Sequence, residues 1–322
     1  METQAQPTFT VFTPTHNRAH MIDRVYESLR RQTLRDFEWL VIDNESKDGT
    51  PQLIERWSSE ADFLIRYIYK RDEGYPTSYN LALQEAHGTY MVEIASDDAC
   101  APNALERFLF HWNSIPAGER EQYSTITALC ADQNGRPHGP PLPQAVIDSE
   151  YCEMRYHYQI GGEKWGCQRL AATRDFPHER LPNGEYGVEG HVWRAVGKRY
   201  RTRYINEILH TFWVHDGQLT RAAPATAAHR NSNWHESVLN HDIAWFRQAP
   251  GEFIRSAAHY SRFAFHKGMG PRAQSARMRH PLARMLWAAT LPLGWLVYRR
   301  DLWRAARQVR AQEKYVPQNN AG

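Results

Sequence analysis

Residues 37–50, Phe37-Glu38-Trp39-Leu40-Val41-Ile42-Asp43-Asn44-Glu45-Ser46-Lys47-Asp48-Gly49-Thr50, hold the transition on which the fold turns. An apolar, aromatic and β-branched run stops at an acid, a cluster of turn residues follows, and Pro51 opens a helical stretch to Ser58. The same order recurs on both sides. Upstream, residues 8–14 predict a short strand, Thr15-His16-Asn17-Arg18 a turn, and 21–34 a helix with Ile22, Val25, Leu29 and Leu34 as its apolar stripe. Downstream, residues 63–69 predict a third strand and 71–76 a glycine-containing loop. A helix over 78–86, closed by Gly88, then leads to a fourth strand over 90–95 that ends on Ser96-Asp97-Asp98. Strands alternating with helices in this way predict an α/β fold with a parallel sheet and right-handed crossovers. Ligands bind such sheets beyond the carboxyl ends of the strands. The polar residues 13–18, Asp43, 72–74 and Asp97 with Asp98 all fall there.

Past residue 112 the pattern weakens, and 134–143 reads as a loop rich in proline and glycine. A helical region over 146–158 is expected next, then Gly161-Gly162-Glu163-Lys164-Trp165, a loop at Pro182-Asn183-Gly184, a helix over 188–198 and a strand over 204–214. The chain after residue 220 is helical in composition.

Over 322 residues, 42% are hydrophobic and 23% charged, which excludes disordered, collagenous and coiled-coil classes. Mean hydropathy is −0.68 and no run of apolar residues is long enough to span a bilayer, so no transmembrane helix is expected. Residues 1–10 lack the basic and apolar segments of a secretory signal, which implies a cytoplasmic protein. Cys100, Cys130, Cys152 and Cys167 show no metal-ligand spacing and read as buried, reduced thiols. Charge is unevenly placed. Residues 271–322 hold 10 Lys and Arg against 2 Asp and Glu, whereas residues 1–270 are mildly acidic. The acidic body argues against a broad nucleic-acid footprint.

Asp97 and Asp98 suit a hard divalent cation, which takes oxygen ligands and keeps phosphate and water in its shell. They would equally serve as a helix cap ahead of Pro102. Neither a P-loop nor a G-x-G-x-x-G fingerprint is present.

Four ordered blocks resemble the family 2 glycosyltransferases, inverting and metal-dependent enzymes of the GT-A fold. They are residues 11–18, residues 40–50, Asn80-Leu81-Ala82-Leu83 with 86–90, and Ser96-Asp97-Asp98 with Pro102. The resemblance implies a Rossmann-like, mostly parallel sheet flanked by helices, with a helical C-terminal extension. It divides the chain into a nucleotide-sugar-binding half (1–112), an acceptor-binding half (113–225) and a basic helical extension (226–322). It places Thr13, Pro14, Thr15, Asn17 and Arg18 around the nucleotide and Asp43 on the base, with Asp72 and Asn80 on the nucleotide side. Asp97 would meet ribose or metal-bound water, and Asp98 would hold Mn²⁺ or Mg²⁺. The family's more common motif carries an acid where Ala95 stands.

An inverting transfer needs a base within hydrogen-bond reach of the acceptor hydroxyl. Glu189 matches the family position, with Glu185 as the alternative; a surface glutamate at a helix start is the other reading. Glu163 and Trp165 could line the acceptor side, or Trp165 could be core. His215 and Arg221 lie where relatives fold over the diphosphate, and both also read as solvated charge.

The function implied is transfer of a sugar from a nucleoside-diphosphate donor, UDP favoured, to a glycan or lipid-linked acceptor of a cell-surface polysaccharide. A sugar nucleotidyltransferase and a non-catalytic nucleotide-sugar binder are the alternatives. Within 271–310, an apolar run over 285–298 interrupted by Pro292 lies between arginines. It predicts either peripheral attachment to an anionic membrane surface or a pair of core helices.

Overall fold

The computed structural model describes residues 6–180, 190–214 and 223–313, with side chains to residue 307, and divides into two compact units, Met1–Val214 and His215–Gly322. The first unit opens with β1 (Phe9–Thr15), α1 (Asp23–Arg30), β2 (Phe37–Asn44), α2 (Thr50–Glu60), β3 (Leu64–Lys70), α3 (Tyr75–Glu85) and β4 (Tyr90–Glu93). It continues with β5 (Ala99–Cys100), α4 (Ala104–Ser114), β6 (Tyr123–Asp132), β7 (Val146–Ser149) and α5 (Tyr151–Tyr156). Then come β8 (Lys164–Arg169), α6 (Leu170–Thr173), α7 (Gly190–Gly197) and β9 (Arg201–Phe212). Among the described residues the strands join one sheet in the order β3-β2-β1-β4-β8-β6-β9-β5, with β7 on β9.

The expected parallel half is β3-β2-β1-β4. The central β2 is buried along its whole length and carries a continuous apolar run, Trp39 to Ile42, because helices cover both faces. Side-chain alternation then sends Phe9, Val11, Trp39 and Val41 into one core with Tyr26 and Trp57. Phe12, Leu40 and Ile42 go to the other face, against Tyr79 and Leu83 of α3. Gly88 is required where the chain re-enters the sheet: a Cβ there would lie 2.5 Å from the Thr10 backbone nitrogen.

Two segments differ from their sequence expectation. Residues 123–132, inside the stretch of weakened pattern, form β6, antiparallel to β8 and parallel to β9. The helical reading of 146–158 gives way to β7 followed by the short α5, because 146–149 pair antiparallel with 202–205 of β9.

The second unit contains α8 (Ala228–His241), α9 (Pro250–His266), α10 (Pro271–Arg277) and α11 (Pro281–Glu313). Pro292 does not interrupt α11; it lies on the exposed side, beside an exposed Ala288, where the carbonyl deprived of its donor can bond water. Buried Ala283, Trp287, Thr290 and Gly294, spaced by three or four residues, and Asp301 two turns further on form a seam. At Gly294 that seam meets α9 so closely that a Cβ would lie 2.6 Å from the Ser261 Cβ. Among the described residues, no helix is long and apolar enough to cross a membrane.

Candidate active site

The register of β1 on β2 sets Thr15 beside Asp43, so the loops leaving both strands start side by side. They are laced together. Asn17 adopts φ 52° and Glu45 φ 62°, turning the chain sharply in each loop. The Asn17 N–H donates to Ser46 Oγ (2.7 Å), and the Lys47 N–H donates back to Asn17 Oδ1 (2.7 Å). Further links run from Arg18 N–H to Thr50 Oγ1 (3.1 Å) and from Ala19 N–H to Asp48 Oδ2 (3.0 Å). The His16 ring bonds the Asn44 carbonyl. Thr13 is buried and accepts the Trp39 indole N–H (3.0 Å). Thr15 Oγ1 is buried without a hydrogen-bond partner among the described residues. Pro14 is half-buried between them.

Asp43 is fully buried. Its Oδ1 accepts the Ser46 N–H (2.9 Å) and its Oδ2 the Tyr67 hydroxyl (2.6 Å). Burial, followed by these contacts with Asp43, raises Tyr67 far above the usual phenol range. Asp43 thus braces the loop start, with both oxygens accepting hydrogen bonds from the chain.

At the end of β4 the two acids separate in environment. Arg18 brings Nη1 to 3.9 Å from Asp97 Oδ2, and Arg24 Nη1 donates to the Asp97 carbonyl (3.0 Å). Asp98 is buried. The Trp213 N–H donates to Oδ1 (3.2 Å), and His210 Nε2 stands 3.5 Å from Oδ2. Burial first, then the neighbouring Asp97 carboxylate, push Asp98 up to about 8; the Trp213 N–H opposes this and Glu163 adds to it. Burial pulls His210 down to about 4, so it is neutral at pH 7 and does not compensate the acids. Its Nδ1 is buried without a partner among the described residues.

Among those residues no cluster of three or more Asp, Glu, His or Cys side chains forms a ready-made metal cage. The donor set is a pair of adjacent carboxylates, one of them buried against neighbouring negative charge. Magnesium and manganese suit such oxygen donors, taking one or two carboxylates and completing their shell with phosphate and water. The acids therefore fit a divalent cation.

Asp72 lies in the exposed loop at the end of β3, where Oδ1 accepts the Gly74 N–H (3.0 Å). Two residues expected at the ligand have partners within the chain. Asn80 spends both ends of its amide on the His178 backbone, Nδ2 donating to the carbonyl (2.9 Å) and Oδ1 accepting the N–H (2.7 Å). It pins α3 to the segment after α6. Trp165 is 5% exposed. One neighbour of its indole is Phe108, the other is His210, and Nε1–H donates to the Glu93 carbonyl (2.5 Å). It is a core residue under the site, with no ring face open to a sugar. Glu163, two residues earlier, is exposed. Glu185, Glu189, His215 and Arg221 lie outside the described residues.

Sequence reasoning missed Arg24, His210 and the Trp213 N–H. Arg24 lies 4.8 Å over the Trp213 ring, so the residue that bonds the Asp97 carbonyl also packs on the residue that bonds Asp98. The pairing of β5 with β9, which sets Cys100 opposite His210, brings the last two there.

Residues 10–129 match the family described as Glycosyl transferase family 2. TuaG of Bacillus subtilis, a glycosyltransferase assigned to teichuronic acid biosynthesis, is 29% identical over 211 residues, 64% of this chain and 79% of TuaG. Chondroitin synthase of Escherichia coli is 28% identical over 100 residues, 31% of this chain but 14% of that protein. An uncharacterized glycosyltransferase of Rickettsia felis is likewise matched over only 16% of its length. S. aureus TarS 1–349 in complex with UDP-GlcNAc superposes with a TM-score of 0.55 at 16% identity, covering 89% of this chain and 80% of that one. The mannosyltransferase PcManGT from Pyrobaculum calidifontis, in complex with GDP-Man and Mn²⁺, gives 0.54 at 18% identity, over 93% and 88%. The laced strand ends and the carboxylate pair thus sit in a GT-A fold, within the stretch of the chain that matches glycosyltransferase family 2.

Proposed function

We propose that the protein transfers a sugar, with inversion, from a nucleoside-diphosphate donor to a glycan or lipid-linked acceptor during synthesis of a cell-surface polymer. A UDP-sugar is favoured, since TarS, which shares the fold, is seen in complex with UDP-GlcNAc and with UDP. The observation that carries the proposal is the Asp97–Asp98 pair at the end of β4, with Arg18 reaching it from the loop after β1.

Asp98 and Asp97 would hold Mn²⁺ or Mg²⁺, which when bound neutralises the diphosphate as the C1–O bond breaks. The residues of this chain do the rest. The laced loops, with Thr13, Pro14, Thr15 and Asn17, shape the nucleotide pocket, and their rigidity limits the ordering cost of binding. Arg18 offers a guanidinium near the phosphates. Glu189, or Glu185, takes the proton of the acceptor hydroxyl, whose oxygen attacks C1 opposite the leaving group. Arg221 would face the diphosphate and Glu163 the acceptor. The enzyme is proposed to work at the cytoplasmic face of the membrane, attached peripherally through residues 271–310.

Calorimetric titration of UDP with and without Mn²⁺ tests this reading. Wild-type protein should bind UDP in an Mn²⁺-dependent manner. Asp98→Asn should lose that dependence while keeping its circular dichroism spectrum. Unchanged Mn²⁺-dependent binding in the variant would overturn the assignment of the acids.

A further inference from the structure

Helix α11 carries apolar side chains on two opposite faces. The buried seam against α9 is one. On the other, Met285, Pro292, Leu296 and Trp303 follow at intervals of seven, four and seven residues, which keeps them on one line along the helix. Met285 is 68%, Leu296 58% and Trp303 56% exposed, and Leu293 and Trp295 widen the stripe. One seam suffices to anchor a helix; the second is an apolar surface turned to solvent.

The charge beside this stripe selects its partner. From residue 281 to 307, the exposed charged side chains are Arg284, Arg299, Arg300, Arg304 and Arg307. The single acid in that span, Asp301, is turned inward, where Arg262 neutralises it (2.5 Å) and the His266 ring lies within hydrogen-bond distance (3.2 Å). Two of the arginines are already ordered beside indoles, Arg299 over Trp295 at 5.3 Å and Arg307 over Trp303 at 4.4 Å. An isologous contact with a second copy would set arginines against arginines with no acid between them. An anionic bilayer offers phosphates to the arginines, headgroup depth to the indoles and hydrocarbon to Met285 and Leu296.

We propose that the outward face of α11 is a docking surface for an anionic phospholipid bilayer, on which the helix lies in the plane of the interface. The inference rests on the peripheral attachment proposed above and is independent of the transfer chemistry.

The test is co-sedimentation of the full chain with phosphatidylcholine vesicles, with and without phosphatidylglycerol. Wild-type protein should pellet with the anionic vesicles and be released by salt. The double variant Leu296→Ser/Trp303→Ser and the triple variant Arg299→Gln/Arg300→Gln/Arg304→Gln should both bind less. The triple variant should lose about a hundredfold in partition coefficient, roughly fivefold per arginine. Both alter exposed side chains, so thermal unfolding and Mn²⁺-dependent UDP binding should stay at wild-type values. Wild-type pelleting by both variants would overturn this surface and leave peripheral attachment to be carried elsewhere in 271–310. No pelleting by the wild type would overturn both. A concentration-dependent dimer abolished by Leu296→Ser, without vesicle binding, would make a second copy the occupant and overturn the proposal.

Discussion

The indole of Trp165 stacks on the imidazole of His210 with ring centroids 5.1 Å apart, and that imidazole holds Nε2 3.5 Å from the Asp98 carboxylate. The core of the first unit therefore reaches directly under the acids of the candidate site. A residue in this position acts through packing. Trp165→Ala should lower unfolding stability by about 3–5 kcal/mol, the usual cost of emptying a buried aromatic site. Urea unfolding measures the loss. Wild-type stability combined with a raised acceptor KM would instead return Trp165 to the acceptor side.

Asn80 invites a similar experiment. Its amide joins α3 to the His178 backbone through two hydrogen bonds. Asn80→Ala leaves the N–H and carbonyl of the buried His178 without these partners and should cost about 1–3 kcal/mol. Donor affinity, measured well below the unfolding temperature, should stay within a few-fold of wild type. A large loss of UDP affinity at unchanged stability would show that the amide serves the nucleotide after all.

The parallel half was legible because each strand carries its own evidence. Residues 37–44 are apolar on both faces and are punctuated by turn residues, as a strand covered by helices requires. β6 had no such signal. Tyr123–Asp132 mixes Ser, Thr and Ala with its apolar residues, and its strand character comes from pairing with β8 and β9. The site divides in the same way. Thr13 to Arg18, Asp43 and the Asp97–Asp98 pair announce themselves at strand ends. Asn80 and Trp165 have the side chains of ligand contacts, yet tertiary partners far along the chain consume them. His210 reaches Asp98 across more than a hundred residues, a distance at which spacing carries no information.

Glu189→Gln separates turnover from donor binding. A base acts on the acceptor hydroxyl and leaves the nucleotide untouched, so UDP affinity should stay at the wild-type value. Transfer should fall by about 10²–10⁴-fold, the range of general base catalysis. Glu185→Gln is the paired control. If Glu185→Gln is inactive while Glu189→Gln transfers at the wild-type rate, the base is Glu185.

The seam between α9 and α11 should fail in acid before it fails near neutrality, through Asp301. Burial alone would raise this carboxyl, but the hydrogen bonds from Arg262 and His266 outweigh it and hold it below 3.8. A carboxyl lowered in the folded state contributes stability above its unfolded value, and that contribution disappears as pH falls through the folded value. Protection of the α11 amides near Asp301 should therefore be level near pH 7 and decline below about pH 4. In Asp301→Asn the acid-dependent decline should vanish. At neutral pH the variant should exchange these amides about ten- to a hundredfold faster, because Arg262 loses its charged acceptor at a cost of about 1.5–3 kcal/mol. Hydrogen–deuterium exchange resolved to residues 283–301 measures both effects in the full chain. An equally steep acid decline in wild type and variant would mean that another group drives the transition and that the Asp301–Arg262 pair contributes little.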